Sequence, residues 1–181
     1  MSNGPKFAER INAAALPESV RTFLKQEEAI LFLLKKRREF GLPTPSAARN
    51  QLLVDFPPEA AHIFAELYVE ICREYTQFSE SYPIRLSELI HDKWEDTLSH
   101  AREVFGGTDG KVVIVEDANE FFSGYGNSQE EQYIVSLFYS THASDPNAAS
   151  FVVPISSSVK ERDYFYGNLF ERLHPQIIDF E

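Results

Sequence analysis

The sequence has almost no cysteine: Cys72 is the only one in 181 residues. A single thiol cannot form a disulfide within the chain. It also excludes a zinc site built from several thiolates. Cys72 lies on or beside the apolar face of a predicted helix, and this position indicates a packed, unreactive thiol rather than a catalytic nucleophile.

The sequence also lacks a long apolar run. The longest one, AILFLL at residues 29–34, is far shorter than the ~20 residues that a membrane-spanning helix needs. The first ten residues, MSNGPKFAER, have no apolar segment after a basic one and so do not show the pattern of a signal peptide. These two features predict a soluble, cytoplasmic protein.

Positive charge is missing from a long stretch of the carboxyl-terminal half. Between Val112 and Val159 there is no Lys or Arg, whereas the same stretch contains six acidic residues. The whole chain has a net charge of −11. Because contact with phosphates needs clustered cations, we predict neither a nucleic-acid partner nor a membrane partner. The basic string KKRR at 35–38 is typical of a helix end, where cations face the negative end of the helix dipole.

The amino-terminal half has the patterns of helices. A proline at one end and a glycine after the other predict a long helix over residues 17–40. A short helix with Thr44 as its N-cap is predicted next. A second long helix follows Asp55, its candidate cap, and a third covers Pro83 to Phe105 with one apolar stripe.

Past the glycine-rich turn at 106–110, β-branched and aromatic residues predict strands. The predicted strands are Val112 to Glu116, with Phe121 to Tyr125 as an extension, Gln132 to Thr141, and Ser150 to Ile155. Their connectors are too short for a crossover helix, which favours an antiparallel sheet. Ser158 and Glu161 have the spacing of a capping box and predict a last helix that ends near Leu173.

The predicted fold class is therefore α+β. A helical amino-terminal half, with three long helices and one short one, packs with a small antiparallel sheet of about three strands and a carboxyl-terminal helix. A sheet unit of this size is too small to stand alone, so residues 1–181 are expected to form a single domain. The turn at 106–110 is a possible internal boundary between a helical part, 1–105, and a sheet-plus-helix part, 111–181.

The stretch GKVVIVEDANEFF, residues 110–122, resembles the first strand of a phospho-accepting receiver domain. In that family an acidic pair at the strand end holds Mg²⁺, and Glu116 and Asp117 supply such a pair here. A receiver also needs a phospho-accepting Asp at the end of a later strand, and helices that alternate with the strands. The later segment SFVVPISSS, 150–158, ends in serines instead. We therefore interpret the stretch as the ordinary first strand of a small sheet.

Side chains that can bind metals occur at helical spacing on the third predicted helix. The candidates are His91, Glu95, Asp96 and His100, because residues four apart share a helix face. Most of this face points away from the apolar stripe, so a solvated polar face is the preferred interpretation, and no metal, cofactor or catalytic residue is predicted. A metal-assisted hydrolase that uses His91 and Glu95 is the alternative.

The most distinctive segment, from Glu116 to Tyr139, is acidic and aromatic and has no cation. Aromatic anchors surrounded by one sign of charge are typical of a surface that binds an oppositely charged partner. The residues predicted to bind a partner are Glu116, Asp117, Glu120, Phe122, Tyr125, Glu130 and Glu131. The alternative is a sheet with an aromatic inner face and an acidic outer face.

The leading hypothesis is a non-enzymatic binding protein that uses this acidic sheet surface to occupy a basic partner protein. Small acidic immunity proteins and inhibitors are of this general type. A further possibility is a helical homodimer with a regulatory or structural role. Residues 29–34 are apolar on every side, so the helix over residues 17–40 is either buried in the core or part of a dimer interface.

Overall fold

The described residues of the protein form one sheet of five parallel strands in the order β2-β3-β4-β1-β5. The computed structural model describes residues 4–45, 49–78, 80–124, 128–144 (141–144 as backbone only), 149–161, 173 and 175–180. The strands are β1 (Gln51–Val54), β2 (Glu80–Ile84), β3 (Lys111–Val115), β4 (Ala149–Ile155) and β5 (Gln176–Asp179). The helices of the described residues are α1 (Ala8–Ala13), α2 (Glu18–Glu39), α3 (Pro58–Tyr75), a 3₁₀ helix (Leu86–Leu89), α4 (Trp94–Gly106), α5 (Ala118–Gly124), α6 (Gln129–Ser144) and α7 (Ser157–Glu161).

Helices and strands alternate along the chain, so the predicted α+β class with an antiparallel sheet of about three strands is wrong. The four strand pairings among the described residues are all parallel. The prediction failed because the connectors were interpreted as loops. The chain between β3 and β4 contains α5 and α6, which is the kind of crossover that parallel strands need.

The segment predicted as the second strand, Gln132 to Thr141, belongs to helix α6. Its β-branched and aromatic residues suit a strand, but the buried side chains of Ile134, Val135 and Phe138 recur at helical spacing. Ser128 and Glu131 form a capping box in front of the helix. The Ser128 hydroxyl accepts a hydrogen bond from the N–H of Glu131 at 3.1 Å, and the Glu131 carboxylate accepts one from the N–H of Ser128 at 3.2 Å.

Only the second half of the helix predicted over Pro83 to Phe105 exists. Strand β2 and the 3₁₀ helix take the place of its first half, and α4 begins at Trp94. The carboxylate of Asp117 accepts hydrogen bonds from the backbone N–H groups of Leu86 (2.7 Å) and Ser87 (2.9 Å). This turn is therefore held by a side chain from the end of β3 in addition to its own 3₁₀ hydrogen bonds.

The other predicted elements have mixed outcomes. The helix over residues 17–40 is confirmed as α2, and the second long helix is confirmed as α3. The short helix is wrong: Pro45, which follows the predicted N-cap Thr44, is not helical, residues 46–48 lie outside the described part, and the chain then forms β1. The strand extension over Phe121 to Tyr125 is also wrong, because α5 lies there. Of the last predicted helix, α7 is observed, and residues 162–172 lie outside the described part.

The sheet lies between two layers of helices. Helices α1 to α3 pack on one face around Phe64 and Tyr68, and α4 to α6 pack on the other around Phe122 and Phe138. The strands on both sides of the turn at 106–110 belong to this one sheet, and the single-domain assignment stays a prediction. None of the helices in the described residues is long and apolar enough to cross a bilayer.

Candidate binding cleft

A cleft of about 880 Å³ opens at the carboxyl edge of the sheet. It lies between one side of α3 and the ends of β1, β3 and β4, and it extends over part of β2. In open α/β sheets, ligands bind in crevices outside the carboxyl ends of the strands. We therefore take this cleft as the candidate functional site.

Asp55 is the residue at which the chain leaves β1, and its backbone is left-handed (φ 58°). Besides glycine, Asp and Asn are the residues that adopt this conformation most readily. The Asp55 carboxylate accepts a hydrogen bond from the N–H of Ser157 at 2.8 Å. The prediction that Asp55 caps the second long helix is wrong, because Pro57 occupies the N-cap position without a side-chain cap. Asp55 instead ties the end of β1 to the start of α7.

Glu116, Asn119 and Glu120 line the cleft where β3 leads into α5. The side-chain carbonyl of Asn119 accepts a hydrogen bond from the N–H of Ser156 at 2.8 Å, which holds the end of β4 beside this wall. The carboxylate of Glu116 is half exposed and lies 3.9 Å from the guanidinium of Arg85. An exposed pair at this distance is weak, so Glu116 can exchange it for the cation of a ligand.

The opposite wall is the polar side of α3, where His62, Glu66, Glu70 and Arg73 follow one another at helical spacing. Nε2 of His62 lies 3.2 Å from Oε1 of Glu66. The carboxylate of Glu70 contacts the guanidinium of Arg10, with 3.0 Å between Oε1 and Nη2. Exposed pairs of this kind contribute about 0–1 kcal/mol each to stability, so they leave the wall open to other cations.

Negative charge dominates the cleft. Of the described residues, five carboxylates line it against one arginine and one histidine: Asp55, Glu66, Glu70, Glu116 and Glu120. The floor includes the apolar side chains of Ile114 and Pro154. A ligand with cationic groups around an apolar body suits such a surface.

Two of the residues predicted to bind a partner are buried. Asp117 is only 4% exposed, and its carboxylate is already used by the backbone of the 3₁₀ helix. Phe122 packs in the core beneath α5 and α6. Neither side chain reaches the surface in this fold. The contacts of Asp117 occupy one member of the acidic pair that resembles a receiver. Strand β4 ends next to Ser156, where a receiver would need an aspartate.

The other predicted partner-binding residues are distributed over different elements. Glu116 and Glu120 line the cleft. Glu130 and Glu131 lie in the first turn of α6, which packs on the other face of the sheet, and Glu131 caps that helix. Tyr125 lies outside the described residues. Residues that are close in sequence are thus separated by α5 and by the sheet.

The four candidate metal ligands come together only in part. Nε2 of His91 and Nδ1 of His100 lie 2.9 Å apart, at hydrogen-bond distance. Glu95 and Asp96 lie in the first turn of α4, where acidic residues suit the positive end of the helix dipole. Within the described parts of the chain, no group of three or more His, Cys, Asp or Glu side chains is placed to hold a metal ion.

Two predictions about individual side chains are confirmed. Cys72 is buried, and its burial raises the pKa of the thiol to about 12, so it is protonated and unreactive at neutral pH. The basic string lies in the last turns of α2, as predicted. Nζ of Lys35 donates to the carbonyl of Glu74 at 2.8 Å, and Arg38 donates to the carbonyl of Tyr75 at 2.5 Å, both at the end of α3.

A buried carboxylate lies far from the cleft, near the amino-terminal edge of the sheet. Glu27 is 1% exposed, and its Oε2 lies 2.7 Å from Nη1 of Arg49. Its Oε1 and the side-chain oxygen of Gln51 find no hydrogen-bond partner among the described residues. Burial raises the pKa of the Glu27 carboxyl, although Arg49 acts in the opposite direction.

The outer side of α2 carries apolar residues. Ile30 and Leu33 are 38% and 59% exposed, and Phe40 and Leu42 at the end of the helix are also exposed. The inner side of the helix packs into the core. The helix over residues 17–40 was expected to be either buried in the core or part of a dimer interface. Ile30 and Leu33 lie outside the core, and the homodimer stays a prediction.

No protein-family model matches this chain, and a search of curated proteins finds no significant match. A function for this protein is therefore argued from the residues that line the cleft.

Proposed function

We propose that this protein is a cytoplasmic binding protein without catalytic activity, which holds a basic segment of a partner protein in the cleft. The observation that carries the proposal is the set of five carboxylates around an apolar floor at the carboxyl edge of the sheet. The protein would act as immunity proteins and inhibitors do, by occupying its partner. The single cysteine is the feature that favours the cytoplasm.

The charge of the protein supports a basic partner. The net charge of −11 produces a field that accelerates the encounter with a cationic protein. Inside the cleft, cations from a partner would offset the mutual repulsion of the carboxylates. The existing pairs with Arg10 and Arg85 are exposed at the rim, so exchanging them costs little.

The exposure of the carboxylates favours binding over acid–base catalysis. Catalytic acids and bases are as a rule drawn out of water by their site. In this cleft the side chains of Glu66 and Glu116 are 65% and 48% exposed. An exposed carboxylate attracts and orients a cation without transferring a proton.

A matched pair of double variants tests the proposal. Glu116→Gln with Glu120→Gln removes two charges from the cleft, and Glu103→Gln with Glu130→Gln removes two charges from α4 and α6. The probe is a fluorescent peptide of about nine arginines, titrated at low salt, where surface charges act over about 30 Å. We expect the cleft variant to weaken binding by about 5- to 30-fold, equal to about 1–2 kcal/mol. The control variant should weaken it by less than about twofold.

Both variants have the same net charge, so a difference between them reports where the peptide binds. The four substituted side chains are exposed or half exposed, and thermal unfolding checks that each variant keeps the fold. Equal weakening by the two variants would show that the peptide responds to net charge alone, and the proposal would fail.

A further inference from the structure

We infer that the segment held in the cleft is an amphipathic α-helix with basic flanks, lying beside α3 over the open face of β2 and β3. The inference rests on the proposed function and specifies the shape of the partner segment.

Within the described residues, no helix fully covers one of the two faces of strands β2 and β3. Parallel sheets are covered on both faces, because their crossover helices pack there. Tyr82 and Ile84 of β2 pack into the core beneath α4 to α6, whereas Ser81 and Pro83, which point to the other face, are exposed. Ile114, the partner of Pro83 on β3, is half buried. In the part of the chain that the structure describes, a strip of sheet between α3 and the free edge of β2 is therefore open.

The size of this open strip suits one helix. The wall that α3 contributes runs from Pro58 to Arg73, a length of about 23 Å or four turns. Two strands occupy about 10 Å across the sheet, which is close to the diameter of a helix with its side chains, about 10–12 Å. A helix at the usual distance of about 8–10 Å from α3 would therefore rest on β2 and β3.

The side chains around the strip suit a helix that has one apolar face and basic residues on either side of it. The floor offers apolar side chains from β3 and β4 and a proline from β2. Carboxylates stand around it, with Glu66 and Glu70 on α3 and Glu116 and Glu120 at the carboxyl edge. A helix with an apolar stripe flanked by Lys or Arg contacts both kinds of surface at once.

An extended segment is the alternative, and the free edge of β2 disfavours it. A peptide that joins a sheet as an extra strand needs backbone donors and acceptors along that edge. The carbonyl of Ile84 points inward, where it accepts a hydrogen bond from the N–H of Glu116 at 2.9 Å. Because neighbouring residues of a strand point their backbone groups to opposite sides, Pro83 faces outward. Proline has no N–H to donate, so the free edge lacks a donor there.

Three peptides of about 16 residues, roughly four turns, test the inference on the unmodified protein. The first has Leu and Ala at helical spacing and Lys elsewhere. The second has the same composition in an order without that period, and the third has Glu in place of Lys. We expect the first to bind about tenfold more tightly than the second in fluorescence anisotropy and to gain helical circular dichroism on binding. The third should not bind.

The outcomes separate this inference from the proposed function. The first two peptides could bind equally well, with the Glu116→Gln, Glu120→Gln variant binding both more weakly. That result would overturn the helical shape of the partner segment, and the proposed function would stand. If that variant binds the first peptide as tightly as the unmodified protein does, both are overturned.

A pair of protein variants locates the bound helix. Ser81→Trp fills the open strip without removing a carboxylate, and Ser99→Trp places the same bulk on the exposed side of α4. We expect Ser81→Trp to abolish the preference for the first peptide over the second and Ser99→Trp to keep it. A preference that survives Ser81→Trp would show that the helix does not lie over β2. The peptide comparison on the unmodified protein decides the question if Ser81→Trp does not fold.

Discussion

Asp55 and Ser157 lie 102 residues apart in the sequence, and the carboxylate of Asp55 accepts a hydrogen bond of 2.8 Å from the backbone N–H of Ser157. The bond joins the end of β1 to the start of α7 beside the cleft. Since Asp55 also has a left-handed backbone, one residue both turns the chain out of β1 and holds the connection that follows β4.

Substitutions at position 55 separate these two roles. Asp55→Gly keeps the left-handed backbone without steric cost but loses the hydrogen bond, whereas Asp55→Ala loses the bond and strains the backbone. We expect the free energy of unfolding to fall by about 1 kcal/mol for Gly and about 2–3 kcal/mol for Ala. Asp55→Asn, which keeps an acceptor oxygen, should cost least. Urea unfolding measures all three, and equal losses for Gly and Ala would show that the backbone is not strained.

Asp117→Ala should destabilise the protein far more than the same change at Glu120. The Asp117 carboxylate is a buried acceptor for the N–H groups of Leu86 and Ser87, and its loss leaves both donors without this partner. We expect a loss of about 3 kcal/mol or more, against about 0.5 kcal/mol or less for Glu120→Ala. Urea unfolding of the two variants checks this contrast. A small loss at Asp117 would mean that the 3₁₀ helix holds without its anchor.

The contribution of Glu27 to the free energy of unfolding decreases as the pH rises. Burial raises the pKa of this carboxyl in the folded state, so the folded protein holds the proton more tightly than the unfolded chain. This stabilisation is fully present below the ordinary pKa of Glu, about 4.3. It is lost as the pH rises through the raised pKa of Glu27 in the folded protein. Glu27→Gln has a similar shape and does not titrate.

We therefore expect the stability of Glu27→Gln, relative to the natural sequence, to increase from about pH 5 to about pH 8. Urea unfolding of both proteins at the two pH values measures this change. Neighbouring cations lower the pKa of three other carboxyls, those of Glu18, Glu39 and Glu74. These groups are common to both proteins and cancel in the comparison. A difference that does not vary with pH would contradict the raised pKa of Glu27.

Leu33→Glu tests the predicted homodimer through α2. Leu33 is 59% exposed, so a charge there should change the free energy of unfolding of the isolated chain by no more than about 0.5 kcal/mol. In a dimer the same charge would be buried against the partner copy, which is costly. We expect sedimentation velocity to show a dimer for the natural sequence and a folded monomer for the variant. A monomer in both cases would end the dimer prediction.

The long helices of the first layer could be predicted because their signals are local. The apolar period of α3 and the left-handed Gly41 that follows α2 (φ 66°) are visible in the sequence as spacing and as residue type. The signal for α6 was also local, since Ser128 and Glu131 have the spacing of a capping box. The strand propensity of the residues that follow them obscured it.

The parallel sheet could not be predicted in the same way. Strand β1 is a run of four residues buried on both faces, and such a run has no period that separates a strand from a helix. The cleft depends on contacts that no local pattern contains. Glu116 and Asp117 are neighbours of like charge, yet one side chain is exposed and the other is buried. Asp55 and the wall of α3 join the site only because the strands are parallel.

The place of β1 in the sheet determines when this protein can fold. Its two neighbours are β4 and β5, so Gln51 pairs with Val152 on one side and with Gln176 on the other. A ribosome that has made α1 to α4 has therefore not yet made either partner of β1. Pairings between such distant residues form slowly. Until these pairings form, the apolar faces of the helices lie next to a strand that has no partner. The sheet can therefore close only once β4 and β5 have been made, and we expect the risk of aggregation to be greatest before that point.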